Sequence, residues 1–234
     1  MLFLVLWDID GTLISSGGAG MRALRMGLSN AFGISDLLED IDYAGRTDRW
    51  IMRQIFAKFK LPATEENFIR LADAYLAALP AEMHDPRARV LPGVKSLLAT
   101  LGQSKHIAQG LLTGNLERGA KVKLGHHGIW EHFPFGAFAD DSELRNELGP
   151  HALRRASARH GVVFPPERVW IVGDTPHDIE CARVIGANSL AVATGLHTVE
   201  ALAAHRPTAV MADLSDAEAF WNLTALRPSH PSAP

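Results

Sequence analysis

The chain has 234 residues, 47% hydrophobic and 21% charged, the balance of a globular protein and not of a fibrous or disordered one. Its 23 basic and 26 acidic residues leave a net charge of −3 with no basic cluster, so neither nucleic acid nor a membrane is an expected partner. A single cysteine, Cys181, excludes an intrachain disulfide and a thiolate metal cluster, and suits a reducing compartment.

Residues 2–7 are a continuous apolar run closed by Asp8, Gly11 and Thr12. A run apolar on both alternating faces predicts a central strand covered on both sides, as in a parallel sheet. The run is too short to cross a bilayer and lacks a basic leader, so a cytoplasmic protein, monomer or homodimer, is expected. From 17 to 89 only helical patterns occur, at 19–32, 46–59 and 64–79, the last with Thr64 as its N-cap and Asn67 three residues on. Ser15-Ser16-Gly17-Gly18 and Val90-Leu91-Pro92-Gly93 read as linkers on either side of this segment.

Beyond the linkers, helical patterns at 93–101, 117–127, 150–160 and 178–185 alternate with apolar runs at 106–112, 169–172 and 189–193, and a weaker run at 209–211. The alternation predicts an α/β fold with a doubly wound parallel sheet. The expected division is a core of residues 1–16 and 90–226, a helical insertion at 17–89, and a loose tail at 227–234 holding three prolines.

In such a sheet the ligand crevice lies beyond the carboxyl ends of the strands. The first run delivers Asp8 and Asp10 there, turned to one side by the period of two if the strand geometry persists. The run at 169–172 delivers Gly173 and Asp174, with Asp178 four residues on. Four carboxylates in one crevice repel one another, and Mg²⁺ is the hard-oxygen cation that neutralises them most simply. The run at 106–112 ends in Thr113-Gly114-Asn115, where a hydroxyl, an amide and open backbone N–H groups can cradle phosphate oxygens. Any one of these aspartates, Asp178 above all, could merely cap a helix; their joint occurrence favours a site.

Asp8-Ile9-Asp10-Gly11-Thr12, Thr113-Gly114-Asn115 and Gly173-Asp174-Thr175-Pro176-His177-Asp178 resemble three of the four signatures of the haloacid dehalogenase-like hydrolase superfamily, in that family's order. The resemblance implies a Rossmann-like core, a helical cap, and phosphoryl transfer through an aspartyl-phosphate in a phosphatase similar to the phosphoglycolate phosphatase branch. It implies Asp8 as nucleophile and Asp10 as general acid and then base, its backbone carbonyl also touching Mg²⁺. Asp174 becomes a direct metal ligand beside Asp8, Asp178 a supporting one, and Thr113 the holder of a phosphoryl oxygen with Asn115 and Gly114 beside it. The implied substrate is a small phosphorylated metabolite.

The fourth signature departs from the family pattern, which has a lysine. Residues 140–150 contain none, and Arg145 is the candidate substitute, its fork suited to phosphate; pairing with Glu143 or Asp141 is the alternative role, and Lys121 or Lys123 the alternative cation. In the insertion, Tyr43-Ala44-Gly45-Arg46-Thr47-Asp48 resembles the substrate-specificity loop of such caps, with Arg46 meeting an anionic group and Thr47 or Asp48 capping the next helix. A phosphoglucomutase-like isomerase, a dehalogenase and a non-catalytic module keeping the fold remain alternatives, the second disfavoured by Asp10.

Overall fold

The computed structural model describes residues 2–227. In chain order, β1 (Phe3–Trp7) is followed by β2 (Ile14–Ser16), the helices α1 (Ala19–Phe32), α2 (Asp48–Lys58) and α3 (Glu65–Glu82), and β3 (Ala88–Val90). Then come α4 (Val94–Gly102), β4 (Ile107–Leu112), α5 (Glu117–His126), β5 (Gly136–Ala137) and α6 (Leu148–His160). The chain continues through β6 (Val169–Gly173), α7 (Pro176–Val184), β7 (Asn188–Val192), α8 (Val199–Ala204), β8 (Ala209–Met211) and α9 (Ala217–Thr224).

Six strands form one parallel sheet in the order β5-β4-β1-β6-β7-β8. The central position of β1 explains its unbroken apolar run. Val5 and Trp7 pack into one apolar cluster while Leu4 and Leu6 pack into another, and all four are fully buried. Each such side chain contributes roughly 1.5–3 kcal/mol. The chain leaves β1 for β4 on one side and later returns to β6 on the other. The carboxyl end of β1 is therefore the topological switch point where a crevice opens.

The predicted linkers are partly strands. Residues Ile14–Ser16 pair antiparallel with Ala88–Val90, so the entry to and exit from the helical segment form one ribbon. Serines and an arginine supply no apolar alternation there, which hides the pairing from pattern reading. Helix α2 starts two residues later than expected because the Thr47 hydroxyl accepts the Trp50 N–H at 3.1 Å, a side-chain N-cap. Helix α3 runs through Pro80 to Glu82, past the expected end at 79. Strand β5 and helices α8 and α9 are additions; α9 is anchored by Phe220, which stacks on Trp7 at 6.3 Å.

Within the helical segment Phe56 meets Phe32 and Phe68 edge-on, at 6.0 and 4.9 Å. The apolar cluster of these helices is continuous with the Val5–Trp7 face of the sheet. Among the described residues no helix is long and apolar enough to cross a membrane. Of the expected tail, residues 228–234 lie outside the described residues.

Candidate active site

A cavity of about 830 Å³ lies between the carboxyl ends of the central strands and the helices α1–α3. Asp8, Asp10, Gly114, Asn115, Arg145, Asp174 and Arg46 all line it; Thr113 and Asp178 stand just behind its wall.

Asp8 continues the sheet for one residue, its backbone N–H donating to the Val172 carbonyl at 2.9 Å. Its carboxylate meets the Arg145 guanidinium at 3.0 Å, and the same guanidinium bonds Asp178. Arg145 sits in a short turn, Arg145–Glu147, whose carbonyl accepts the Cys181 S–H at 3.3 Å. Burial pushes the Cys181 thiol up to about 12, so it stays a neutral donor and apolar filler. The alternative partners of Arg145 are otherwise engaged: Glu143 pairs with Arg53 at 2.5 Å and Asp141 with Arg155 at 2.5 Å.

Asp178 serves two purposes at once. One oxygen accepts the Thr175 N–H at 3.0 Å and the Thr175 hydroxyl at 2.7 Å, capping α7, while the other faces Arg145. Asp178 thus caps α7 and stands in the carboxylate cluster at once. Asp174 accepts the Thr12 hydroxyl at 3.3 Å. It is packed so closely by Gly195 that a Cβ there would lie 1.7 Å from its carboxylate oxygen.

One oxygen from each of Asp8, Asp174 and Asp178 lies within 4.8 Å of the others. Three buried carboxylates cluster here, and one guanidinium pairs with two of them, Asp8 and Asp178. Burial raises the Asp8 carboxyl, Arg145 opposes, and the charges of Asp178 and Asp10 add to the rise, which reaches about 6. Burial, then Asp8 and Asp178, push Asp174 well above the carboxylate range. A donor set of hard oxygens with uncompensated negative charge fits a small divalent cation.

Asp10 belongs to a different cluster. Its Oδ2 accepts from Lys123 Nζ at 2.6 Å and from the Asn115 amide at 3.0 Å. Lys123 also donates to Asn115 Oδ1 at 2.6 Å, which orients the amide, and Asn115 donates onward to the Thr113 hydroxyl at 2.9 Å. Burial alone would raise Asp10, but the Lys123 charge and these hydrogen bonds outweigh it and hold the carboxyl below its usual range. Lys123 itself is 4% exposed; burial lowers it, and the nearby Asp10 and Asp48 charges outweigh that and raise it. The Asp10 side chain is thus not part of the three-carboxylate cluster, and the metal role expected of it through its backbone carbonyl is separate from this pairing.

The helical segment reaches into the site through residues 45–48. Gly45, at φ +67°, lets this loop sit on the Asp174–Asp178 turn, where a Cβ would lie 2.6 Å from the Thr175 hydroxyl. Thr47 donates to the Glu143 carbonyl at 2.6 Å while it caps α2. The Asp48 backbone N–H donates to the Gly114 carbonyl at 2.7 Å and its carboxylate accepts the Leu116 N–H at 2.8 Å. Arg46 lies over the Trp50 ring at 4.5 Å and reaches Asp42 at 3.3 Å.

Sequence reasoning ranked Lys123 below Arg145 for a single vacancy; the structure puts one cation on each of the two catalytic-signature aspartates. Asp48 was read only as a cap, yet burial lifts its carboxyl to about 6. Thr194, which donates to the Gly11 carbonyl at 2.5 Å, and Gly195 were missed. They follow the apolar run at 189–193, so the strand-end rule could have found them.

The profile of the haloacid dehalogenase-like hydrolase family matches residues 5–183. A probable phosphatase, IndB, of Dickeya dadantii is 27% identical over 91% of this chain and 90% of its own. A phosphoglycolate phosphatase of Synechococcus elongatus is 28% identical over 91% and 93%. The crystal structure of CbbY from Rhodobacter sphaeroides in complex with phosphate shares the fold, with a TM-score of 0.73 at 17% identity over 92% and 96% of the two chains. With its strand-end aspartates in that family's order and its profile matched over most of its length, the chain belongs to the haloacid dehalogenase-like hydrolase family, among the phosphatases.

Proposed function

We propose that this hydrolase is a Mg²⁺-dependent phosphatase that cleaves a small phosphorylated metabolite in the cytoplasm through an aspartyl-phosphate on Asp8. The observation that carries the reading is the meeting of the Asp8, Asp174 and Asp178 carboxylates at a cavity wall, with one guanidinium paired to Asp8 and Asp178. Asp8, Asp174 and Asp178, with the Asp10 backbone carbonyl, would hold the ion. When bound, Mg²⁺ supplies positive charge to offset the phosphoryl oxygens and the clustered carboxylates.

In the first step an Asp8 oxygen attacks phosphorus in line as the ester P–O bond breaks, and Asp10 gives a proton to the leaving oxygen. In the second, water attacks the phosphorus, its proton passes to Asp10, and phosphate leaves with Asp8 restored as a carboxylate. The Lys123 and Asn115 contacts favour the ionised Asp10, the form this second step needs; the first step draws on the small protonated fraction, which the proton taken from water in the second step restores. Arg145 serves where the family lysine would, joining Asp8 to the phosphoryl oxygens. The Thr113 hydroxyl, accepting from Asn115, has its own proton left to donate, and Gly114 and Asn115 line the phosphate cradle. Residues 17–89 act as the cap, with Arg46 contacting substrate. The cavity suits a small molecule closed away from water.

Phosphate release from p-nitrophenyl phosphate, with Mg²⁺ and with excess chelator, tests the reading. Release that requires the metal and disappears in Asp8→Asn is the expected result. Release that survives Asp8→Asn removes the mechanism.

A further inference from the structure

Residues 138–144, which lead to Arg145, lie in no helix or strand. The core fastens this stretch at Asp141, through Arg155 of α6 at 2.5 Å. Beyond the Arg145–Glu147 turn, Leu148 seats the start of α6 in the apolar cluster that holds Leu4 and Leu6. The turn itself is tied to the core by the Cys181 S–H, which meets the Arg145 carbonyl at 3.3 Å, and by the ion pairs of the guanidinium. A thiol is a weak donor.

The helical segment adds a firmer hold two residues before Arg145. The Thr47 hydroxyl donates to the Glu143 carbonyl at 2.6 Å, and Thr47 is only 1% exposed. Further along α2, Arg53 Nε donates to the Glu143 carboxylate at 2.6 Å. Glu143 is thus clasped at its backbone and at its side chain from the same helix. The ion pair is partly open to water and adds little alone. The buried bond to the carbonyl is the one that fixes the main chain.

The same loop also meets the guanidinium over Gly114. A Cβ added there would lie 2.1 Å from the Arg46 carbonyl oxygen and 3.0 Å from Arg145 Nη1. Both ion pairs of Arg145 run through Nη2, and Nη1 is the nitrogen beside the phosphate cradle. The Asp48 N–H fixes the Gly114 carbonyl at 2.7 Å. A guanidinium binds oxygens through a rigid planar fork, so its placement matters more than that of an ammonium. A misplacement of about 1 Å in a catalytic site can cost about a hundredfold.

Resting on the phosphoryl-binding role given to Arg145 above, we propose that Thr47, acting through Glu143, is a positioning residue for Arg145. The core then binds phosphate fully only while residues 45–48 are docked on it. The helical segment contributes to the phosphate site here without touching the phosphoryl group.

A double-mutant cycle tests this, read by calorimetric titration of inorganic phosphate with Mg²⁺ present. Thr47→Val should weaken phosphate binding about tenfold. Thr47→Ser keeps both the donor and the α2 cap and should stay within about twofold of wild type. In an Arg145→Met background the Thr47→Val change should cost about twofold or less, because the group it positions is gone. Thr47→Asp keeps the cap and lacks the donor, so it should weaken binding at least as much as Thr47→Val. It also takes the place of Thr47→Val in the cycle if thermal melts show that the valine variant does not fold. Equal losses with and without Arg145, or phosphate binding unchanged in both Thr47→Val and Thr47→Asp, overturn the proposal and leave the phosphatase reading standing. Phosphate binding unchanged in Arg145→Met alone removes the role of Arg145, and the proposal with it.

Discussion

Two clusters of buried charge share the end of β1, two residues apart, and they behave in opposite ways. Around Asp8, three carboxylates crowd together with one guanidinium, which pairs with Asp8 and Asp178, and the carboxyls of Asp8 and Asp174 are pushed up. Around Asp10, one carboxylate has its own ammonium and an oriented amide, and its carboxyl is pushed down. Asp8 is buried and Asp10 about a third exposed; what burial there is pushes both carboxyls up, and the neighbouring charges decide the opposite signs of the shifts. The first cluster is incomplete without a cation. The second is complete as it stands. The three-carboxylate cluster therefore gains from an added cation, whereas Asp10 already has one.

The strongest way to break this comparison is at the nucleophile. Asp8→Asn should lower phosphate release by at least about 10³-fold while the fold persists; circular dichroism and a thermal melt on the same sample check the second half. Next in size is the balanced cluster. Lys123→Met leaves Asp10 without its ammonium and should cost about 3 kcal/mol in denaturant unfolding, while adding Asp10→Asn should recover part of that loss. Removing one partner and then both separates a true pair from two independent residues.

The incomplete cluster is sharpened by metal. Mg²⁺ at a hundred times its dissociation constant should stabilise the wild-type protein by about 2.7 kcal/mol, and Asp174→Asn should lose most of this gain. Without metal, the pH dependence follows from the raised Asp8 carboxyl. Its folded value, about 6, lies well above the usual carboxylate range. The folded state therefore holds the proton more tightly, and the contribution of Asp8 to stability is present at low pH and lost as pH rises through about 6. Wild-type stability relative to metal-free Asp8→Asn should accordingly fall by on the order of 2 kcal/mol between pH 4 and pH 7. Urea midpoints at the two pH values measure it. A difference that grows with pH would contradict the charge count. The smallest effect expected is at the rim: Arg227→Ala breaks an exposed pair with Glu218 and should change stability by less than about 0.5 kcal/mol.

Much of the architecture was legible because a parallel sheet writes itself into sequence twice. Its central strands are apolar on both faces, as at Leu4, Val5, Leu6 and Trp7, and the residues that follow them are delivered to one edge. Asp8, Asp10, Asn115 and Asp174 could be gathered on that ground before any contact was known. The short ribbon of β2 and β3 was hidden because its residues carry no alternation. Helix α9 was hidden because its role, seating Phe220 on Trp7, depends on a residue more than two hundred positions away.

The sequence by itself determined which polar groups stand at the strand ends, since the period of the strand and the order of the chain suffice for that. Only the tertiary structure decided which cation meets which carboxylate. Lys123 and Asp10 are 113 residues apart, and Arg145 and Asp178 are 33 apart; no local period relates them. A guanidinium or ammonium on a long side chain can reach several acids from one backbone position. The choice rests on the packing of α5, through Ala120 and Leu124, in the apolar cluster that includes Val5 and Trp7, on the Arg145–Glu147 turn held to α7 through Cys181, and on the one helix-capping oxygen that leaves Asp178 a second oxygen for Arg145.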